Sequence, residues 1–189
     1  MGSVEAQGRA LIATMNFDQE RAAALAKEGF DLWQSGRLED ALLKYVAALD
    51  VADPDHFALP DYHGEFASVL AALGRDREAC EQYQLSLTHA LRQEPDGTGP
   101  AVLIARYSLA EQFLKLKEPR RALHVVAQGV GLAGDQQWLL RVVEARALWD
   151  LGRKPESKRS AEVAVLHAPS EVKANDLRRY LAEILAVTA

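Results

Sequence analysis

Residues 29–48 read GFDLWQSGRLEDALLKYVAA. Gly29 and Leu32 stand three residues apart, and Ala41, Tyr45 and Ala48 stand at four- and three-residue steps, so each set lies along one helix face. Ser35-Gly36-Arg37 breaks the pattern between them, at a glycine suited to ending a helix. The stretch therefore reads as two helices joined by a tight turn, with small side chains where the helices cross and bulky ones filling the gaps beside them. The same frame returns as Ala67, Leu70, Gly74, Ala79, Tyr83, Ser86, then as Ala110, Phe113, Lys117, Ala122, Val126, Gly129, and again as Ala145, Leu148, Gly152, Ser157, Ala161, Ala164. Spacing inside the frame is constant, while the steps from Gly36 to Gly74 to Lys117 to Gly152 are 38, 43 and 35 residues. The variation sits in the connections, as in a tandem array.

A helix pair with one apolar face cannot bury it alone, so each pair must stack on the next. The pattern predicts an all-α chain of four repeats over 18–57, 58–99, 100–134 and 135–169, preceded by an N-terminal segment over 1–17 and followed by a capping helix over 170–189. A short helix is expected over 4–15, with Asn16 and Gln19 as a capping pair for the helix that follows. The repeats are expected to hold helices over 18–34 and 38–51, 61–73 and 77–92, 101–116 and 119–130, and 136–151 and 155–167. Asp76 reads as a cap, and Pro119 and Pro155 suit a first helical position, where a missing N–H costs nothing. The final helix, over 171–187, carries Leu177, Tyr180, Leu181, Ile184 and Leu185 on one side.

Composition narrows the function. The 189 residues are 49% hydrophobic and 26% charged, with a net charge of −5 and a pI near 5.6. Nucleic-acid binding rests on a basic surface that displaces counterions, so no nucleic-acid partner is expected. No apolar run approaches the ~20 residues of a membrane span, and the N-terminus lacks the basic-then-apolar order of a signal peptide. With a single cysteine, Cys80, the expectation is a cytoplasmic protein without a membrane partner.

On the residues Gly29, Leu32, Gly36, Ala41, Tyr45, Ala48 and Pro54, the array resembles the tetratricopeptide repeat (TPR) family, and the likeness extends over residues 20–169. The third copy departs most, with Lys117 for the turn glycine and Gly129 for the late alanine. His63, Arg106 and Arg141 stand where the family usually buries tryptophan or leucine. The resemblance implies a right-handed superhelical solenoid whose concave face is lined by the first helix of each pair. Carried over, that face presents Lys27, Phe30 and Trp33, then Glu65 and Ser68, then Tyr107 and Glu111, then Arg146 and Trp149, with Asp61, Gly64, Ile104, Leu114 and Val142 among their neighbours. Small residues of the second repeat, between Phe30 and Trp33 on one side and Tyr107 on the other, predict a recess.

The expected function is non-catalytic: capture of a peptide or helix of another protein in that groove. A dedicated chaperone or neutralising partner, of the secretion-chaperone or antitoxin kind, is the alternative, and self-association is left open. Relatives that hold the C-terminal carboxylate of heat-shock chaperones use lysines, asparagines and an arginine. The corresponding residues here are Ala26, Phe30, Glu65, Ile104 and Ser108, none of which binds a carboxylate by charge, and Glu65 repels one. The sequence has no glycine-rich phosphate loop and no His-Glu-x-x-His helix, so no catalytic residue, cofactor or metal is expected. Asp53, Asp55, His56, Asp61 and His63 lack the glycine and distal glutamate of a calcium loop and read as a polar connector. Cys80 reads as an inert buried thiol.

Overall fold

The computed structural model describes residues 17–132 and 137–187. The helix expected over 4–15 and the cap expected at Asn16 lie outside the described residues. Within them the chain forms ten α-helices and no strand: α1 Gln19–Gln34, α2 Leu38–Val51, α3 Leu59–Ala72, α4 Asp76–Gln93, α5 Pro100–Lys115, α6 Pro119–Ala127, α7 Gln137–Asp150, α8 Lys154–Leu166, α9 Glu171–Tyr180 and α10 Ala182–Leu185. The frame read from the sequence is the core: Ala41, Tyr45, Ala48, Ala67, Ala79, Ala110, Ala122, Val126, Ala145, Ser157, Ala161 and Ala164 are all fully buried. At Gly29 the need for a small residue is direct, since a Cβ there would meet the Tyr45 ring at 3.0 Å.

All four repeats turn in the same way. The amides of Gly36 and Arg37 bond back to the carbonyls of Trp33 and Leu32, and the same crossed pair of bonds recurs at Gly74 and Arg75, Lys117 and Glu118, and Gly152 and Arg153. This Schellman arrangement requires a left-handed residue. The three glycines take it at φ of 75–80°, and Lys117 takes it at φ 60°, the one positive-φ side-chain-bearing residue among those described. Each helix packs on its successor, and in addition α1 touches α3, α3 touches α5, and α5 touches α7. No comparable contact joins α2, α4, α6 and α8 among the described residues. Direct neighbours at every step occupy the inside of a curve, so the first helices form the inner layer.

Several boundaries differ from expectation for identifiable reasons. Asp18 caps α1, its Oδ1 accepting from the Arg21 amide at 2.9 Å. Asp76 is the first residue of α4 and does not cap it. Its carboxylate instead accepts from Lys115 Nζ at 2.6 Å and Gln112 Nε2 at 3.0 Å, which ties the second repeat to the third. α6 stops at Ala127, short of the expected residue 130. The Val125 carbonyl, which a continuing helix would bond to the residue-129 amide, accepts from Arg106 Nη1 at 3.4 Å, and the same nitrogen donates to Gln128 Oε1 at 3.2 Å. Arg106 is thus buried against the end of α6. A Cβ at Gly129 would lie 2.7 Å from Arg106 Cδ, so the departure at 129 accommodates the departure at 106. The final helix divides into α9 and α10 at Leu181. Leu177, Leu181 and Ile184 are buried, whereas Tyr180 is exposed and turns away from that cluster.

Candidate functional site

α1, α3 and α5 enclose a recess of about 200 Å³ on the inner layer. Trp33 of α1 forms one wall and Ile104 and Ser108 of α5 the other, and α3 contributes Asp61, Gly64, Glu65 and Ser68 between them. Depth comes from small residues one turn apart on α3, which expose Tyr83 and Ser86 of α4 behind. These second-layer residues are hydrogen-bonded. Ser68 Oγ donates to the Gly64 carbonyl at 3.0 Å and, having spent its proton, accepts from the Tyr83 hydroxyl at 3.0 Å. Ser86 Oγ donates to the Pro60 carbonyl at 2.7 Å. Ile104 is 59% exposed and Phe30 39% exposed, the latter set edge-on against Trp33 with ring centroids 5.8 Å apart.

The recess is acidic. Burial pushes the Glu65 carboxyl above its ordinary value, the Tyr45 hydroxyl opposes this by donating to Oε2 at 3.0 Å, and nearby Asp61 adds to the rise. Burial also raises Asp61. Among the described residues no lysine or arginine pairs with either carboxylate.

Tyr107 and Glu111 line a second hollow further along, of about 570 Å³, together with Lys115 and Arg146. Arg146 Nη1 donates to both Glu111 oxygens at 2.5 and 2.6 Å, and the guanidinium sits 5.5 Å from the Tyr180 ring. Beyond it Val142 and Ala145 of α7 are buried in one cluster with Leu177, Leu181 and Ile184 of the capping region, which packs on α8. Leu114 is likewise buried, in the core. The nine residues expected on the groove therefore separate. Trp33, Glu65 and Ser68 share the recess, with Phe30 behind Trp33, while Tyr107, Glu111 and Arg146 share the second hollow. Trp149 is engaged by Lys154, whose ammonium lies 3.3 Å from its ring centroid, and Lys27 pairs with Asp31 at 2.8 Å on an exposed face. Tyr83 is a recess residue that the sequence reading assigned wholly to the frame, and small Ser68 beside it is the signal that it would be open to the groove.

The polar connector disperses. Asp53 Oδ1 accepts from the Asp55 amide, His56 Nδ1 from the Ala58 amide, and His63 Nδ1 pairs with Gln82 Oε1 at 2.8 Å while its ring stacks on His89. Burial lowers His63 and His89 and raises the Cys80 thiol.

No protein-family model and no curated protein matches this sequence. Solved structures do match in fold. A putative kinesin light chain of Podosopora anserina with nearly identical TPR-like repeats is 17% identical over 89% of this chain and 93% of that chain, with a TM-score of 0.67. A double mutant of MamA is 18% identical over 87% and 90%, with a TM-score of 0.65. YrrB, a TPR protein with an unusual peptide-binding site, is 19% identical over 89% and 84%, with a TM-score of 0.61. With helix pairs in a fixed frame, one turn geometry used four times and first helices on the inner layer, the chain has the tetratricopeptide-repeat fold.

Proposed function

We propose that this chain is a non-catalytic interaction module that holds a peptide or one face of a helix from a partner protein along α1, α3 and α5. The observation that carries the reading is the recess between Trp33 and Ile104: two large apolar side chains face each other across small residues on the inner layer. Such an anchor pocket, rimmed by polar groups, suits an inserted side chain of a partner. The peptide-binding site of YrrB, on the same fold, lends support.

The test is selection of binders from a phage-displayed random peptide library, followed by titration of synthetic peptides. Trp33→Ala is expected to weaken selected peptides by ~2 kcal/mol or more, while Arg120→Glu on exposed α6 leaves them unchanged. Peptides that bind equally well to Trp33→Ala and to Ile104→Asp place the interaction elsewhere and end this reading.

A further inference from the structure

We infer that the recess between Trp33 and Ile104 receives a lysine or arginine side chain of the bound segment, with its charged end at Glu65 and Asp61. This rests on the groove reading above and names the chemistry of its ligand. Size is the first argument. About 200 Å³ is below the ~300–1,000 Å³ typical of pockets for small molecules and cofactors, so one side chain is the fitting guest.

Charge decides which side chain. Glu65 is half-buried and receives one hydrogen bond, from Tyr45 to Oε2. Oε1 has no donor among the described residues, and the recess contains no cation to offset the two carboxylates. An apolar guest would strip water from both without replacing it, and an anionic guest would be repelled. A basic guest supplies the missing donors and charge together. The walls suit the rest of that guest. Trp33 supplies an aromatic ring, to which a cation is attracted, and Ile104 supplies apolar surface for the methylene stem. Partial burial raises both carboxyls, and a cation beside them would favour their charged forms.

The experiment selects peptides on the wild-type chain as above and keeps those that lose binding to Trp33→Ala. These are expected to share one lysine or arginine. Exchanging it for norleucine, or for citrulline where it is arginine, should lower affinity ~10-fold or more in wild type and by much less in Glu65→Gln and Asp61→Asn, as coupling between the two charges requires. Thermal melts confirm that both variants are folded, and Asp61, the more exposed of the two carboxylates, serves where Glu65→Gln perturbs packing. Trp33-dependent peptides without a basic residue, or an equal loss in wild type and both variants, overturn this inference and leave the groove reading standing. Selection that yields no Trp33-dependent peptide overturns both.

Discussion

The Tyr45 hydroxyl donates to Glu65 Oε2 at 3.0 Å, from a ring that is fully buried in the first repeat to a carboxylate on the inner helix of the second. The contact joins the packing core to the recess. It holds the carboxylate in place and is the one hydrogen bond that favours its charged form. Tyr45→Phe keeps the ring and removes that donor, leaving a half-buried acceptor unmade. The expected cost is ~1–3 kcal/mol, measured by urea denaturation. A stability equal to wild type would show that water replaces the bond at no cost.

Glu65→Gln tests the electrostatics separately. Burial raises the Glu65 carboxyl above its ordinary value of 4.5, so the folded state binds its proton at higher pH than the unfolded chain does. The stability tied to that proton is fully present below the unfolded value and is lost as pH rises through the folded value, so at neutral pH the charged carboxylate is a net cost. Glutamine keeps an acceptor for Tyr45 without the charge. Glu65→Gln should therefore melt above wild type at about pH 7, with the gap closing as pH falls towards the ordinary value of the glutamate. A gap that does not change with pH would assign the effect to packing.

Lys117 is the strained member of four otherwise matching turns. Left-handed backbone costs a side-chain-bearing residue ~1–2 kcal/mol, part of which is returned by the greater freedom of glycine in the unfolded chain. Lys117→Gly should stabilise the protein by ~0.5–1 kcal/mol, and Gly74→Ala should destabilise it by a similar amount, both read from chemical denaturation. Destabilisation by Lys117→Gly would mean that the exposed Lys117 side chain makes a compensating contact.

Helix crossings should resist enlargement. Ala79→Leu adds volume at a fully buried crossing and is expected to cost ~1–3 kcal/mol. At Gly129→Ala the new methyl meets Arg106 Cδ and Leu140 Cδ1 within 3 Å, and destabilisation is again expected. Combining Gly129→Ala with Arg106→Leu should recover part of that loss, a coupling that a double-mutant cycle on thermal or urea stability measures directly.

The frame was legible because it rests on local periodicity. Gly29, Ala41, Tyr45 and their counterparts must be small or large for reasons set within one helix pair, and they stand at fixed offsets. What was not legible depends on residues that meet only after stacking. Nothing in the spacing of Tyr45 and Glu65 marks a hydrogen bond between repeats, and nothing near Arg106 announces that its guanidinium would end α6 at Ala127. The recess was foreseeable from Gly64 and Ser68. Its far wall was not, because Ile104 and Ser108 face it while Tyr107, one step round the α5 helix, belongs to the next hollow. Trp149 was the hardest to place from sequence, since Lys154 covers it across a turn and the capping region packs beside it.

The capping region gives the array a direction. Along the inner helices the recess between Trp33 and Ile104 is followed by the hollow that holds the Arg146–Glu111 pair, with Tyr180 of the capping region set against Arg146. A segment laid along α1, α3 and α5 would therefore meet two unlike stations in a fixed order, one acidic and one that carries its own ion pair. The same region buries Leu177, Leu181 and Ile184 in one cluster with Val142 and Ala145, so the apolar face that a repeat leaves for its successor is here sheltered by helices that are not themselves a repeat.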